Sequence, residues 1–92
     1  MTETKMSKLV SRKSSTVLER VVEEMIFLKE ETPFRRCYVV EWKVSGIEGV
    51  FSKDWCINTR RFDDMWKDDA RFHLKRAVEL RVAEQILEGS KR

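Results

Sequence analysis

Cys37, Cys56 and His73 are the residues with which this chain could hold a soft metal or build a thiol nucleophile. Their spacing does not gather them. A zinc site takes four ligands and usually contains a close Cys-x-x-Cys or His-x-x-x-His pair, and no such pair is present. A cysteine nucleophile needs a histidine within hydrogen-bond reach, and nothing in the spacing brings His73 to either thiol. The expectation is two buried, inert thiols in a reducing, cytoplasmic setting, with no metal, no cofactor and no catalytic residue. The two cysteines become neighbours only if Trp55-Cys56-Ile57 forms a strand beside the one that carries Cys37. Glu41-Trp42-Lys43 offers a different chemistry, in which a carboxylate holds Mg²⁺ and a lysine positions the attacking water.

On a strand, the Glu41-x-Lys43 pattern resembles the one used by a large nuclease superfamily. That resemblance implies a second acid on a preceding strand of the same sheet. Here a helix and Pro33 are read before it, and Asp63, Asp64, Asp68 and Asp69 are read as residues of helix N-termini. Nucleic-acid binding without catalysis is the better supported of these ideas. Its candidate residues are Lys5, Lys8, Arg12 and Lys13 in the N-terminal stretch, with Arg35, Arg36, Arg60 and Arg61. Trp42, Trp55 and Trp66 supply rings on which bases can stack. The order helix, hairpin, third strand, helix resembles the double-stranded-RNA-binding domain. That family opens its final helix on a lysine-rich run. Here Lys75-Arg76-Ala77-Val78 lies inside the helix and Glu79 follows.

The charge balance weighs against that reading. The chain has 92 residues and a net charge of +3. Residues 1–13 carry +3 and Lys91-Arg92 carry +2, which leaves the body at −2. Nucleic-acid affinity depends on clustered cations facing phosphates. No apolar run is long enough to span a bilayer, and no apolar stretch follows the basic N-terminal residues as in a secretory signal.

The element that organises the rest is a hairpin over residues 38–51. Tyr38, Val40, Trp42 and Val44 share one face at period two, and Ser45-Gly46 reads as a two-residue turn. That turn places Val44 opposite Ile47, Trp42 opposite Gly49 and Val40 opposite Phe51. Before the hairpin, Thr16 and Glu19 form a capping-box pattern. Val17, Leu18, Val21, Val22, Met25, Ile26 and Leu28 follow at helical spacing up to Thr32-Pro33. After it, residues 60–88 read as one helix or two, ending at Gly89. The expected fold is α+β: a small antiparallel β-hairpin, of two strands or three, covered by an N-terminal helix over 16–31 and a long C-terminal helix. Residues 1–13 are expected to be a flexible basic arm, and residues 14–92 one small domain. The expected core is Leu18, Val21, Val22, Met25, Leu28, Tyr38, Val40, Trp42, Val44, Phe51, Phe62, Trp66, Leu80 and Leu87.

The last helix carries two apolar stripes. Ala77, Leu80, Ala83 and Leu87 make one, and Leu74, Val78, Val82 and Ile86 make the other. A helix that only covers a core shows one stripe. The leading functional expectation is therefore a small non-enzymatic interaction or regulatory protein that docks on a protein partner or forms a homo-oligomer. Its contact residues are read as Val78, Val82 and Ile86, with Arg71, Lys75 and Arg81 as a charged rim.

Overall fold

The computed structural model describes residues 7–90. Four strands, β1 (Lys8–Val17), β2 (Arg20–Glu31), β3 (Arg35–Val44) and β4 (Phe51–Asn58), are followed by one helix, α1 (Met65–Ser90). The strands form an antiparallel meander in the order β1-β2-β3-β4. The expected two-helix arrangement is thus wrong. Residues 16–31 hold no helix; they form the end of β1, a turn, and β2.

The reason lies in a sequence that fits two periods. Val22, Glu24 and Ile26 alternate with Val21, Glu23 and Met25, and the first set is buried while the second is not. β-Branched Val17, Val21, Val22 and Ile26 favour extended backbone. The turn at Leu18-Glu19 is disguised because it contains neither Gly nor Asn. Both residues adopt left-handed backbone, with φ of 52° and 62°. Paired positive φ values are what a two-residue hairpin turn requires.

The period-two reading of β3 is correct in its face. Val40, Trp42 and Val44 are buried, and Tyr38 packs beside them. The register toward β4 differs from the expected one. Ser45-Gly46 do turn the chain, the Ile47 amide donating to the Val44 carbonyl at 3.2 Å, but β4 begins only at Phe51 after a loop over 45–50, so Trp42 pairs with Phe51 and Val40 with Lys53. Gly46 and Gly49 have φ of 80° and 91° in that loop, and Ile47 folds inward to join the core.

The helix lies on one face of the sheet, mainly over β4 and less over β3. Trp66, Ala70, Leu74 and Val78 recur every fourth residue and are at most 2 % exposed. Asp63 starts the helix: its carboxylate accepts a hydrogen bond from the Met65 amide at 3.0 Å and one from Arg61 at 2.9 Å. Those two bonds hold the Asp63 carboxyl below its ordinary pKa. Tyr38 stacks on Trp66 with centroids 4.5 Å apart. Val22, Ile26 and Val40 complete the core from β2 and β3; each fully buried side chain contributes about 1.5–3 kcal/mol. Several expected core residues lie outside: Val21, Phe62, Leu80 and Leu87 are exposed, and Leu18 sits in the turn.

Residues 60–64 are not helical, and Met65–Ser90 form a single helix. Lys8–Lys13, read as part of a flexible arm, lie in β1. Among the described residues no helix is long and apolar enough to cross a membrane.

Candidate functional site

A row of residues runs across the covered face of the sheet: Lys13 on β1, Glu24 on β2, Trp42 on β3 and Phe51 on β4. Strand pairing sets this row, because directly opposed residues project to the same face. Glu24 is only 2 % exposed, which is unusual for a carboxylate. Three hydrogen bonds hold it there. Arg71 of α1 donates through Nε to Oε2 and through Nη2 to Oε1, both at 2.8 Å. The Trp42 indole N–H donates to Oε2 at 3.0 Å. Burial pushes the Glu24 carboxyl up, but the bonds from Arg71 and Trp42 outweigh it and leave the group below its ordinary pKa. The bond to Glu24 in turn raises Arg71 above its ordinary value. This bidentate, charge-assisted pair ties the helix to β2.

Beside this pair lies a shallow groove of about 210 Å³. Lys13, Ser15 and Val17 form its β1 wall, and Arg71, Phe72 and Lys75 form its α1 wall, with Trp42 and Glu24 at the base. The groove exists because α1 sits over β4 and β3, so the inner side of β1 has no helix above it. Phe72 is 59 % exposed at its rim, with the Arg76 guanidinium 6.0 Å from the ring centroid. Lys13 and Lys75 have no salt-bridge partner among the described residues. The Glu24 charge is already met by Arg71. The groove therefore presents Lys13 and Lys75, neither in a salt bridge among the described residues, above the Trp42 ring and the Glu24–Arg71 pair.

The residues read from sequence as contact residues fall in three environments. Val78 is 1 % exposed and belongs to the core, and Val82 is half-buried against it. Arg71 is committed to Glu24, and Lys75 lines the groove. Ile86 is exposed, and Arg81 lies 5.6 Å above the Phe51 ring. The stripe of Leu74, Val78 and Val82 thus faces the sheet. The stripe of Leu80, Ala83 and Leu87 faces away from it, with Leu80 64 % and Leu87 61 % exposed.

The candidate nucleic-acid residues do not converge. Lys5 lies outside the described residues. Arg12 pairs with Glu23 at 2.8 Å, Arg35 with Glu30 at 3.0 Å, Arg36 with Glu31 at 2.9 Å and Arg61 with Asp63 at 2.9 Å. The bond to Glu31 raises Arg36 above its ordinary value. Lys8 and Arg60 are exposed, and Lys13 alone of the set lines the groove. Trp42 and Trp66 are core residues and offer no free ring for stacking.

Cys37 and Cys56 stand opposite each other on β3 and β4 and are joined by a disulfide on the face away from α1. The expectation of two free thiols is corrected by the existence of β4, which makes the two residues direct neighbours. Glu41 lies on that same outer face, opposite Ser52 and beside Met25. No group of three or more His, Cys, Asp or Glu side chains suited to a metal ion occurs among the described residues.

Sequence reasoning missed Glu24 and Phe72. Glu24 was masked by the assignment of its segment to a helix, where it would have been a solvated position. No family model matches the chain, and neither a curated protein nor a solved structure is significantly similar to it.

Proposed function

We propose that the protein is a small, non-enzymatic cytoplasmic interaction module that self-associates through the outward stripe of α1. The observation that carries this reading is the course of the helix. Among the described residues Val78 is the last buried one and Val82 the last half-buried one, yet the helix runs on for two further turns. An isolated helical segment that short is marginal in water unless its apolar face is packed. Leu80, Ala83 and Leu87 follow three- and four-residue steps, the spacing of a helix–helix seam. In an antiparallel pair of helices centred near Ala83, Leu80 of one copy lies beside Leu87 of the other. The small side chain of Ala83 lets the two backbones approach.

A cytoplasmic setting holds most cysteines reduced. β3 and β4 stay joined in that state by their hydrogen-bond ladder and by Ile57 and Trp55, which pack against the core that α1 completes.

Sedimentation of the wild-type chain and of Leu80→Glu tests the reading. Leu80 is exposed, so the variant keeps its fold and circular dichroism. The expected result is a wild-type dimer and a monomeric variant. A wild type that sediments as a monomer at its highest soluble concentration overturns the proposal.

A further inference from the structure

We infer that the free edge of β1, with the groove beside it, accepts an acidic, extended segment of a partner protein as a fifth strand. This shares with the proposed function only the premise that the chain works by binding protein. It uses a different surface, so its failure leaves self-association by α1 untouched.

β1 ends the sheet, so among the described residues no strand pairs with the backbone groups on its outer side. A long unpaired edge is a template for another chain. β1 is ten residues long, contains no Pro or Gly, and carries Lys8, Arg12 and Lys13 without a single acid. Those cations decide what can pair there. In an antiparallel pairing of β1 with a second copy of itself, Arg12 and Lys13 at its centre oppose the same two residues, and like charges directly across a ladder repel. The edge therefore selects against its own copy and for a segment of opposite charge.

The groove sets the pattern such a segment must have. The inward side chains of β1 are Ser11, Lys13, Ser15 and Val17, which oppose Ile26, Glu24, Val22 and Arg20 on β2. A fifth strand repeats this spacing one strand further out. Its carboxylate beside Lys13 also faces Lys75 across the groove, and both cations lack a salt-bridge partner among the described residues. Its apolar residue four positions along, past the one beside Ser15, meets Val17 and the exposed Phe72 ring. Arg12 points to the opposite face, where Glu23 already holds it. Recognition thus rests on Lys13 and Lys75 together with the backbone of β1.

The test is fluorescence anisotropy with three labelled probes on the full chain. One is a peptide as long as β1 whose one face carries glutamate beside Lys13 and, four positions along, valine beside Val17. The second has lysine in place of each glutamate, and the third is a single-stranded oligothymidylate. The expected result is binding of the acidic peptide by wild type, with no binding of the lysine version. Lys13→Glu and Lys75→Glu are each expected to weaken the acidic peptide about tenfold or more, since an attractive pair becomes a repulsive one. Both positions are exposed, and circular dichroism checks their fold. Amide hydrogen exchange adds a second readout: the peptide is expected to slow exchange in β1. Failure of the acidic peptide to bind overturns the inference. So does binding that both substitutions leave unchanged, or tighter binding of the oligonucleotide, which would assign the cations to phosphates.

Discussion

Arg71→Ala is the sharpest probe of how this fold is held. It removes two charge-assisted hydrogen bonds from Glu24, whose side chain is 3 % exposed, and leaves the Trp42 indole as the remaining donor. Removing one partner of a buried ion pair costs about 3–5 kcal/mol, because the other charge stays buried without compensation. Two features move the figure to the low end. The Arg71 side chain is 27 % exposed, so water already reaches the pair, and the Lys13 charge also favours the ionised carboxyl. A loss of about 3 kcal/mol is expected, a large share of the roughly 5–15 kcal/mol that holds a domain folded.

The pH dependence gives the prediction its specificity. In the wild type the Glu24 carboxyl lies below its unfolded value, so its contribution to stability is present above that value, about 4.5. It is lost as the pH falls through the folded value. In Arg71→Ala the main opposing influence is gone and burial raises the group instead. The variant's deficit is therefore large near neutrality and shrinks toward about pH 4, as the raised carboxyl of the folded variant takes up its proton before the wild-type one does. Urea unfolding followed by tryptophan fluorescence at the two pH values measures both effects. The double variant Glu24→Leu with Arg71→Met replaces the pair by apolar groups and is expected within about 1 kcal/mol of wild type, or above it. A deficit under about 1 kcal/mol in Arg71→Ala, or one that does not change with pH, refutes the reasoning.

Two further outcomes follow from the hairpins. Leu18→Asn with Glu19→Gly places residues that tolerate positive φ where the chain already has it, and thermal melts are expected to show a gain of about 1–2 kcal/mol. Reducing Cys37–Cys56, which are separated by 19 positions, is expected to cost about 2–3 kcal/mol in urea unfolding while the far-ultraviolet dichroism stays unchanged.

The face of β3 was legible because Tyr38, Val40, Trp42 and Val44 alternate without ambiguity and are followed by a glycine. The C-terminal helix was legible in outline, though Ile86 of the sheet-facing stripe is exposed and Ala77 of the other is half-buried. Which stripe faces the sheet was not legible, because that depends on where the strands lie. Residues 16–31 misled for a definite reason. Their apolar residues come in pairs, which satisfy a helical period and a strand period alike, and Thr16 with Glu19 mimics a helix start. Tertiary pairing decides between the two. β2 lies between β1 and β3, and its β-branched residues gain ladder bonds on both sides. A helix there would have left β3 and β4 as a lone hairpin, marginal without further strands. After Val44 the turn at Ser45-Gly46 is where it was expected, but the strand does not resume at Ile47; it resumes at Phe51, which shifts the register.

The same tie that stabilises the fold also determines where its open surfaces lie. Among the described residues, the salt bridge that joins α1 to the sheet is Arg71 on Glu24. Glu24 stands on β2, in the row between Lys13 and Trp42, and Arg71 must stand over it. With Arg71 fixed there, Trp66, Ala70, Leu74 and Val78 fall on the core, and Phe72 and Lys75 fall on the side toward β1. The helix thereby leaves the inner side of β1 uncovered and turns Leu80, Ala83 and Leu87 away from the sheet. An apolar contact in place of the pair would hold the helix down as firmly but would fix its rotation less closely, since burial is non-directional and a bidentate guanidinium is not. The groove at β1 and the outward stripe of α1 are therefore two consequences of one buried carboxylate.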